Sequence, residues 1–271
     1  MTTRVGLLGW PVGHSISPAI HNAAYATQGL DWHYTALAVP PDELEARITS
    51  LVDEEDYRGF NITIPHKQAV LSLPQVHESS PAAQEIGAAN VLTVLPGGGF
   101  RADNTDWQGF IHDLRMYRVK IEGANCMILG SGGSSRAIVY ALQQSGAASI
   151  TVISRDPAGK ANIVGYDKLP ELIAEVQFVV NCTPLGMTPD VDRSPWPENV
   201  SFPRGVVLYD LIYNPPVTRL MAQARSAGAR VINGLGMLVW QAAFTFEQWT
   251  GSKPPLDIMF GAAKTAMEHH V

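Results

Sequence analysis

The chain has 271 residues, 46% hydrophobic and 16% charged, which is ample apolar material for one large domain or two of ordinary size. Its net charge of -6, with no run of Lys or Arg, argues against nucleic acid or an anionic membrane as a partner. Cys126 and Cys182 are the only cysteines and form no CxxC pair, so zinc-knuckle and redox-pair chemistry are excluded; both read as buried free thiols in a reducing compartment. The N-terminal stretch lacks the long apolar region of a signal peptide. No run reaches the roughly 18–20 apolar residues needed to span a bilayer. A cytoplasmic protein is expected.

In chain order, residues 4–9 read as a buried strand. Ser17 and Pro18 open a helix, Ser17 as its cap and Pro18 at its first position, ending at Gly29. A strand over 32–39, a helix over 42–52 with acidic residues in its first turn, a strand over 57–64 and a helix over 65–73 follow. This βαβαβα string predicts a mostly parallel sheet covered by helices. Residues 90–95 suggest a strand, Gly97 to Gly99 a turn, and 105–118 a helix leading away. A second βαβ series has strands at 125–130, 149–154, 177–182 and 205–210, a short one at 230–233, and a helix over 134–144. Residues 190–204 are polar and Pro-rich and read as an exposed loop. Two helices, 236–250 and 256–269, close the chain. The fold class expected is two-domain α/β: a mostly parallel unit over 1–105, with 236–271 packing back onto it, and a Rossmann-like, doubly wound unit over 106–235.

Gly130-Ser131-Gly132-Gly133-Ser134-Ser135-Arg136 follows a predicted strand and opens a predicted helix. In that setting glycines let the backbone approach a pyrophosphate, and the helix N-terminus supplies free N–H groups. Ser135 stands where the third fingerprint glycine usually falls; the bland alternative is a structural Gly turn. At the end of the next strand, Ser154-Arg155 offers a guanidinium suited to a 2′-phosphate, which favours NADP. Asp156 follows and could serve a ribose hydroxyl instead.

Four polar clusters fall where loops are expected: residues 13–17, 61–67, 87–90 and 103–106. The first two follow strands, and ligands of open parallel α/β sheets bind outside the carboxyl ends of strands. Eight segments in order then resemble the NADP-dependent shikimate dehydrogenase family along the whole chain. They are GHSISP (13–18), NITIPHK (61–67), GAAN (87–90), NTD (104–106), the Gly-rich loop (130–136), NCTPLGM (181–187), DLIYNP (210–215) and GLGMLVWQ (234–241).

The resemblance implies a first domain that binds substrate and a second that binds NADP. It implies reversible NADPH-dependent reduction of 3-dehydroshikimate to shikimate, in aromatic amino acid biosynthesis. Lys67 and Asp106 would be the catalytic pair. Ser15 and Ser17 would reach the substrate carboxylate; Thr63, Asn90, Tyr213 and Gln241 would bind ring hydroxyls or the carboxylate. Gly130, Ser131, Gly132, Gly133 and Ser134 would cradle the diphosphate, Ser154 and Arg155 the adenosine end. Leu211, Gly234 and Met237 would complete the cofactor contacts, the last two near the nicotinamide. The family commonly carries Asn-Arg-Thr and a second Arg where this chain has Ser154-Arg155-Asp156 and, nearby, Lys160. Relaxed cofactor choice or quinate activity is the alternative reading; Ser15 and Thr63 favour the shikimate-specific type.

Chemistry agrees with these roles. Oxidising a secondary alcohol needs a proton acceptor on oxygen, and Lys can take that proton or stabilise the alkoxide as a cation. A polyhydroxylated substrate accounts for the crowd of Ser, Thr, Asn and Gln. Bland readings remain: a solvated Lys67, Asp106 as a helix cap, Ser15 and Ser17 as turn residues, Asn90 bridging backbone, Tyr213 in a core. Trp240, Phe244, Phe246 and Trp249 read as helix packing. His14, His66, His269 and His270 lack acidic or Cys partners at ligand spacing, so no metal is expected. GHSIS is a near miss to the hydrolase elbow G-x-S-x-G, with no convincing Asp and His after it. The partner expected is a small-molecule substrate, with no nucleic acid and no membrane, in a monomer or homodimer.

Overall fold

The computed structural model describes residues 2–157 and 162–269. The chain divides into two compact units, Met1–Gly109 with Leu238–Val271, and Phe110–Met237.

The first unit runs β1 (Thr3–Gly9), α1 (Ser17–Thr27), β2 (Trp32–Ala38), α2 (Leu44–Asp53), β3 (Tyr57–Ile62), β4 (Val76–Ser79), α3 (Pro81–Ile86), β5 (Val91–Val94), β6 (Phe100–Asp103) and the start of α4 (Asp106–Met116). Among the described residues its strands pair in the order β2-β1-β3-β5-β6-β4. β1 is parallel to β2 and β3, while β5 runs antiparallel to β3 and β6. Leu8, Ile48, Leu51, Phe60, Val70 and Leu92 form the heart of one core, as the apolar run in each strand requires.

Three expectations for this unit are corrected. Ser17 does not cap α1; it is the first helical residue, and no side chain caps from the preceding position. The oxygen that receives the Ser17 N–H is Ser15 Oγ, at 3.3 Å. Residues 65–73 do not form a helix: turns lead only to a short 3-10 helix, Ala69–Ser72. The Lys67 carbonyl that a helix would use internally instead accepts the Ala89 N–H at 2.8 Å, and the buried His66 ring bonds the Val39 carbonyl at 2.8 Å. Finally, β4, α3 and β6 lie where no element was expected. α3 is well signalled, with Ser80 accepting from Ala83 N–H, Pro81 at its start and Gly87 at φ 66 at its end.

The second unit continues α4 and adds β7 (Asn125–Leu129), α5 (Gly133–Gln144), β8 (Ser149–Ile153), β9 (Ile163–Val164), α6 (Leu169–Leu172), β10 (Phe178–Asn181), β11 (Val207–Asp210), α7 (Arg219–Ser226), β12 (Arg230–Asn233) and the first turn of α8 (Leu235–Thr250). The described strands pair in the order β12-β11-β10-β7-β8-β9, all parallel. The chain leaves β7 toward β8 on one side and returns to β10 on the other. β7 and β10 therefore flank the switch point of a doubly wound sheet, where such folds bind ligands. The stretch 190–204 carries no helix or strand, but it is not simply an exposed loop. Trp196 and Phe202 are 3% and 7% exposed, pack ring to ring at 4.5 Å and belong to the core. Cys126 is buried, whereas Cys182 is only partly so, and neither is in a disulfide.

The rest of α8 and α9 (Leu256–His269) belong to the first unit, where α9 packs on α1. Trp249 on α8 lies on β3 at Gly59, where an added Cβ would stand 2.7 Å from the indole. Among the described residues no helix is long and apolar enough to cross a membrane.

Candidate active site

In the first unit the loops after β1 and β3 lie against each other. A Cβ at Gly9 would stand 2.3 Å from Thr63 Cγ2, so only glycine lets the two strand ends approach this closely. Ser15 and Ser17 come from the first loop, Thr63 and Lys67 from the second. Ser17 is buried.

Lys67 Nζ donates to Asp106 Oδ2 at 2.7 Å, with side chains only 12% and 6% exposed. Asp106 is the first residue of α4, where helix N–H groups favour a carboxylate. Its other oxygen, Oδ1, accepts from Asn90 Nδ2 at 3.0 Å. Asn90 is held in turn: the Thr105 N–H donates to its Oδ1 at 2.6 Å, and its Nδ2 reaches Thr105 Oγ1 at 3.0 Å and Gln241 Oε1 at 3.3 Å. Asn104 accepts the Asp106 N–H at 3.1 Å and donates to the Ala88 carbonyl at 2.9 Å. A buried amide network therefore fixes the carboxylate, and the carboxylate fixes the ammonium. Of the substrate-binding candidates, Ser15, Ser17, Thr63, Lys67, Asn90, Asp106 and Gln241 all lie in this unit. Tyr213 lies in the second, after β11, where burial raises the pKa of its hydroxyl.

Asn61, Asn104, Thr105 and Tyr34 had no assigned role. Tyr34 donates to Asn61 Oδ1 at 2.9 Å, and Asn61 Nδ2 donates to the Asn90 carbonyl at 3.1 Å and to Thr245 Oγ1 at 3.2 Å. The signal that could have found Asn61 is an amide between Phe60 and Ile62 in the buried part of a strand, a position that demands partners.

In the second unit Gly130 has φ 100, the left-handed region that favours glycine, and a Cβ there would meet Thr183 Cγ2 at 3.0 Å. Gly132 stands immediately before α5, and a Cβ on it would meet no atom within 4 Å. Open space thus borders the first N–H groups of a 12-residue helix, as a diphosphate requires. Ser131 and Ser154 hydroxyls meet at 3.0 Å. Ser154 Oγ also accepts the Asp156 N–H at 3.2 Å, which shapes the turn carrying the exposed Arg155. Lys160 lies outside the described residues. Gly234 sits on Leu211, where a Cβ would stand 2.1 Å from the Leu211 carbonyl oxygen. Asp210, fully buried, accepts from Asn181, Thr218 and the Ile212 N–H, and burial lifts its pKa to about 6. Among the described residues no group of three or more His, Cys, Asp or Glu could hold a metal ion.

Comparison with known proteins adds two family models, two relatives and a solved structure. A family model described as the shikimate dehydrogenase substrate binding domain matches residues 7–92. Another, described as the shikimate 5'-dehydrogenase C-terminal domain, matches residues 234–263. The shikimate dehydrogenase (NADP(+)) of Symbiobacterium thermophilum is 39% identical, over 97% of this chain and 94% of its own. That of Methanopyrus kandleri is 37% identical over 99% and 96%. The solved shikimate 5-dehydrogenase of Thermus thermophilus, in complex with NADP(H) and shikimate, is similar with a TM-score of 0.86. It is 34% identical, over 98% of this chain and 100% of that one.

Proposed function

This chain belongs to the shikimate dehydrogenase family, and from that premise we propose that it interconverts 3-dehydroshikimate and shikimate with NADP, using Lys67 and Asp106 as the reacting pair. The observation that carries the proposal is the 2.7 Å pairing of Lys67 Nζ with an Asp106 carboxylate whose other oxygen is held by Asn90.

The chain's own groups account for the proton. In reduction, the Lys67 ammonium gives a proton to the ketone oxygen as negative charge develops on it and becomes a neutral amine. In oxidation the amine takes that proton back from the alcohol. Asp106 holds Nζ, so the pair enters the reduction already carrying the proton. Ser15 and Ser17 offer hydroxyls to the substrate carboxylate, while Thr63, Asn90, Tyr213 and Gln241 serve its other oxygens. An analogue lacking a hydroxyl leaves such partners unpaired.

Gly130, Ser131, Gly132, Gly133 and Ser134 hold the diphosphate, and Ser154 and Arg155 the 2′-phosphate. Leu211, Gly234 and Met237 hold the nicotinamide end. NADP, when bound, supplies the hydride acceptor. A cytoplasmic location fits Cys126 and Cys182 standing outside any disulfide, and the state in solution is read as a monomer or homodimer.

The test is absorbance at the reduced-nicotinamide band with shikimate and NADP, then with NAD, then with quinate. Rapid reduction of NADP by shikimate alone is expected; no reduction with any pair sinks the proposal.

A further inference from the structure

Asp113 is a buried carboxylate that the proposed reaction does not use. It lies on α4 within the second unit and is 3% exposed. Its Oδ2 accepts the Tyr209 hydroxyl at 2.7 Å, and Tyr209 is fully buried on β11. The backbone of Met237 faces the same phenol oxygen. The other carboxylate oxygen lies against the residue before: a Cβ on Gly236 would stand 1.8 Å from Asp113 Oδ1. One carboxylate and one phenol therefore lie against two successive residues in the first turn of α8.

Holding a carboxylate there has a cost. Burial lifts the Asp113 pKa to about 6, and an apolar side chain of similar size would pack without that penalty. Two features show what the position does. The carboxylate faces the N-terminal turn of a 16-residue helix, where partial positive charge favours it. The glycine beside it leaves no room for any side chain that would separate the two.

We propose that Asp113 and Tyr209 are positioning residues for the cofactor: they fix the backbone of Gly236 and Met237 and so set the affinity for NADP without touching it. The proposal rests on the assignment of Gly234 and Met237 to the nicotinamide end.

The experiment is steady-state kinetics on the purified full chain, varying NADP and shikimate separately, with thermal melts beside them. The proteins are wild type, Asp113→Ala, Asp113→Asn, Tyr209→Phe and Met237→Ala. Asp113→Ala and Tyr209→Phe are expected to raise KM for NADP about five- to tenfold, the effect of one lost buried hydrogen bond, and to leave KM for shikimate within about twofold. Asp113→Asn keeps an acceptor for the Tyr209 hydroxyl and is expected to restore KM for NADP. Where Asp113→Ala gives no folded protein, Tyr209→Phe, which conserves volume, carries the test. An unchanged KM for NADP in these variants while Met237→Ala raises it overturns the proposal and leaves the cofactor assignment standing. If Met237→Ala is also without effect, the assignment itself falls, and the proposal with it. Equal rises in both KM values mean general loosening and overturn it as well.

Discussion

Asn90 Nδ2 meets Asp106 on Oδ1, at 3.0 Å, and Lys67 Nζ meets its Oδ2, at 2.7 Å. The carboxylate is therefore gripped from two sides, and its aim at Nζ depends on an amide that carries no charge. Asn90→Ala removes that grip and leaves the Thr105 N–H without its acceptor. We expect kcat to fall about tenfold to a hundredfold, from the cost of an unsatisfied buried partner of a charged group. A variant with wild-type kcat would show that Asp106 is held by other means.

Lys67→Ala removes the proton donor itself. Turnover should fall by about two to four orders of magnitude, while shikimate binding, followed by calorimetry, persists through the remaining hydroxyl and amide partners. Near-normal turnover would remove Lys67 from the mechanism.

Gly130→Ala places a Cβ at φ 100 and against Thr183. The strain is expected to cost about 1–3 kcal/mol, read as a lower melting temperature, and KM for NADP should rise more than KM for shikimate. A variant as stable as wild type with an unchanged KM would mean that the loop tolerates a side chain and does not cradle a ligand.

Asp113 and Asp210 each have a pKa raised by burial from 3.8 to about 6. Each holds its proton more tightly folded than unfolded. The folded state is therefore favoured most below pH 3.8, and that contribution is lost as pH climbs to about 6. Stability from these groups should decline across this window by up to about 3 kcal/mol each. Asp113→Asn should flatten its share of the slope in urea melts between pH 4 and 7; an unaltered slope would assign that share elsewhere.

Much of this was legible in the sequence. The central strands β7 and β10 of the second unit are nearly continuous apolar runs, as parallel strands buried on both faces must be, and the glycine loop sits at the strand end where a doubly wound sheet changes direction. Long-range capture was not legible. The stretch 65–73 has helix-forming residues, yet the Ala89 N–H takes the Lys67 carbonyl from 22 positions away in sequence. Partners such as Tyr34 and Asn61, 27 positions apart, leave no local pattern, since their strands flank β1 and they meet only across it. Trp196 and Phe202 were masked by the prolines and charges around them, although an aromatic in a polar stretch is itself a reason to expect an anchor. Ser80, Pro81 and Gly87 did spell out α3, and the shortness of that helix hid its period.

The first unit is assembled from two separated stretches of chain. Until α8 emerges from the ribosome, Asn61 Nδ2 lacks Thr245, Thr93 lacks the Trp249 N–H, and the face of β3 at Gly59 stands uncovered. The second unit has no such debt, because Phe110–Met237 is continuous. During synthesis the later-encoded unit is thus the earlier to be completed, and the segment Met1–Gly109 waits, aggregation-prone, for Leu238–Val271 to close it.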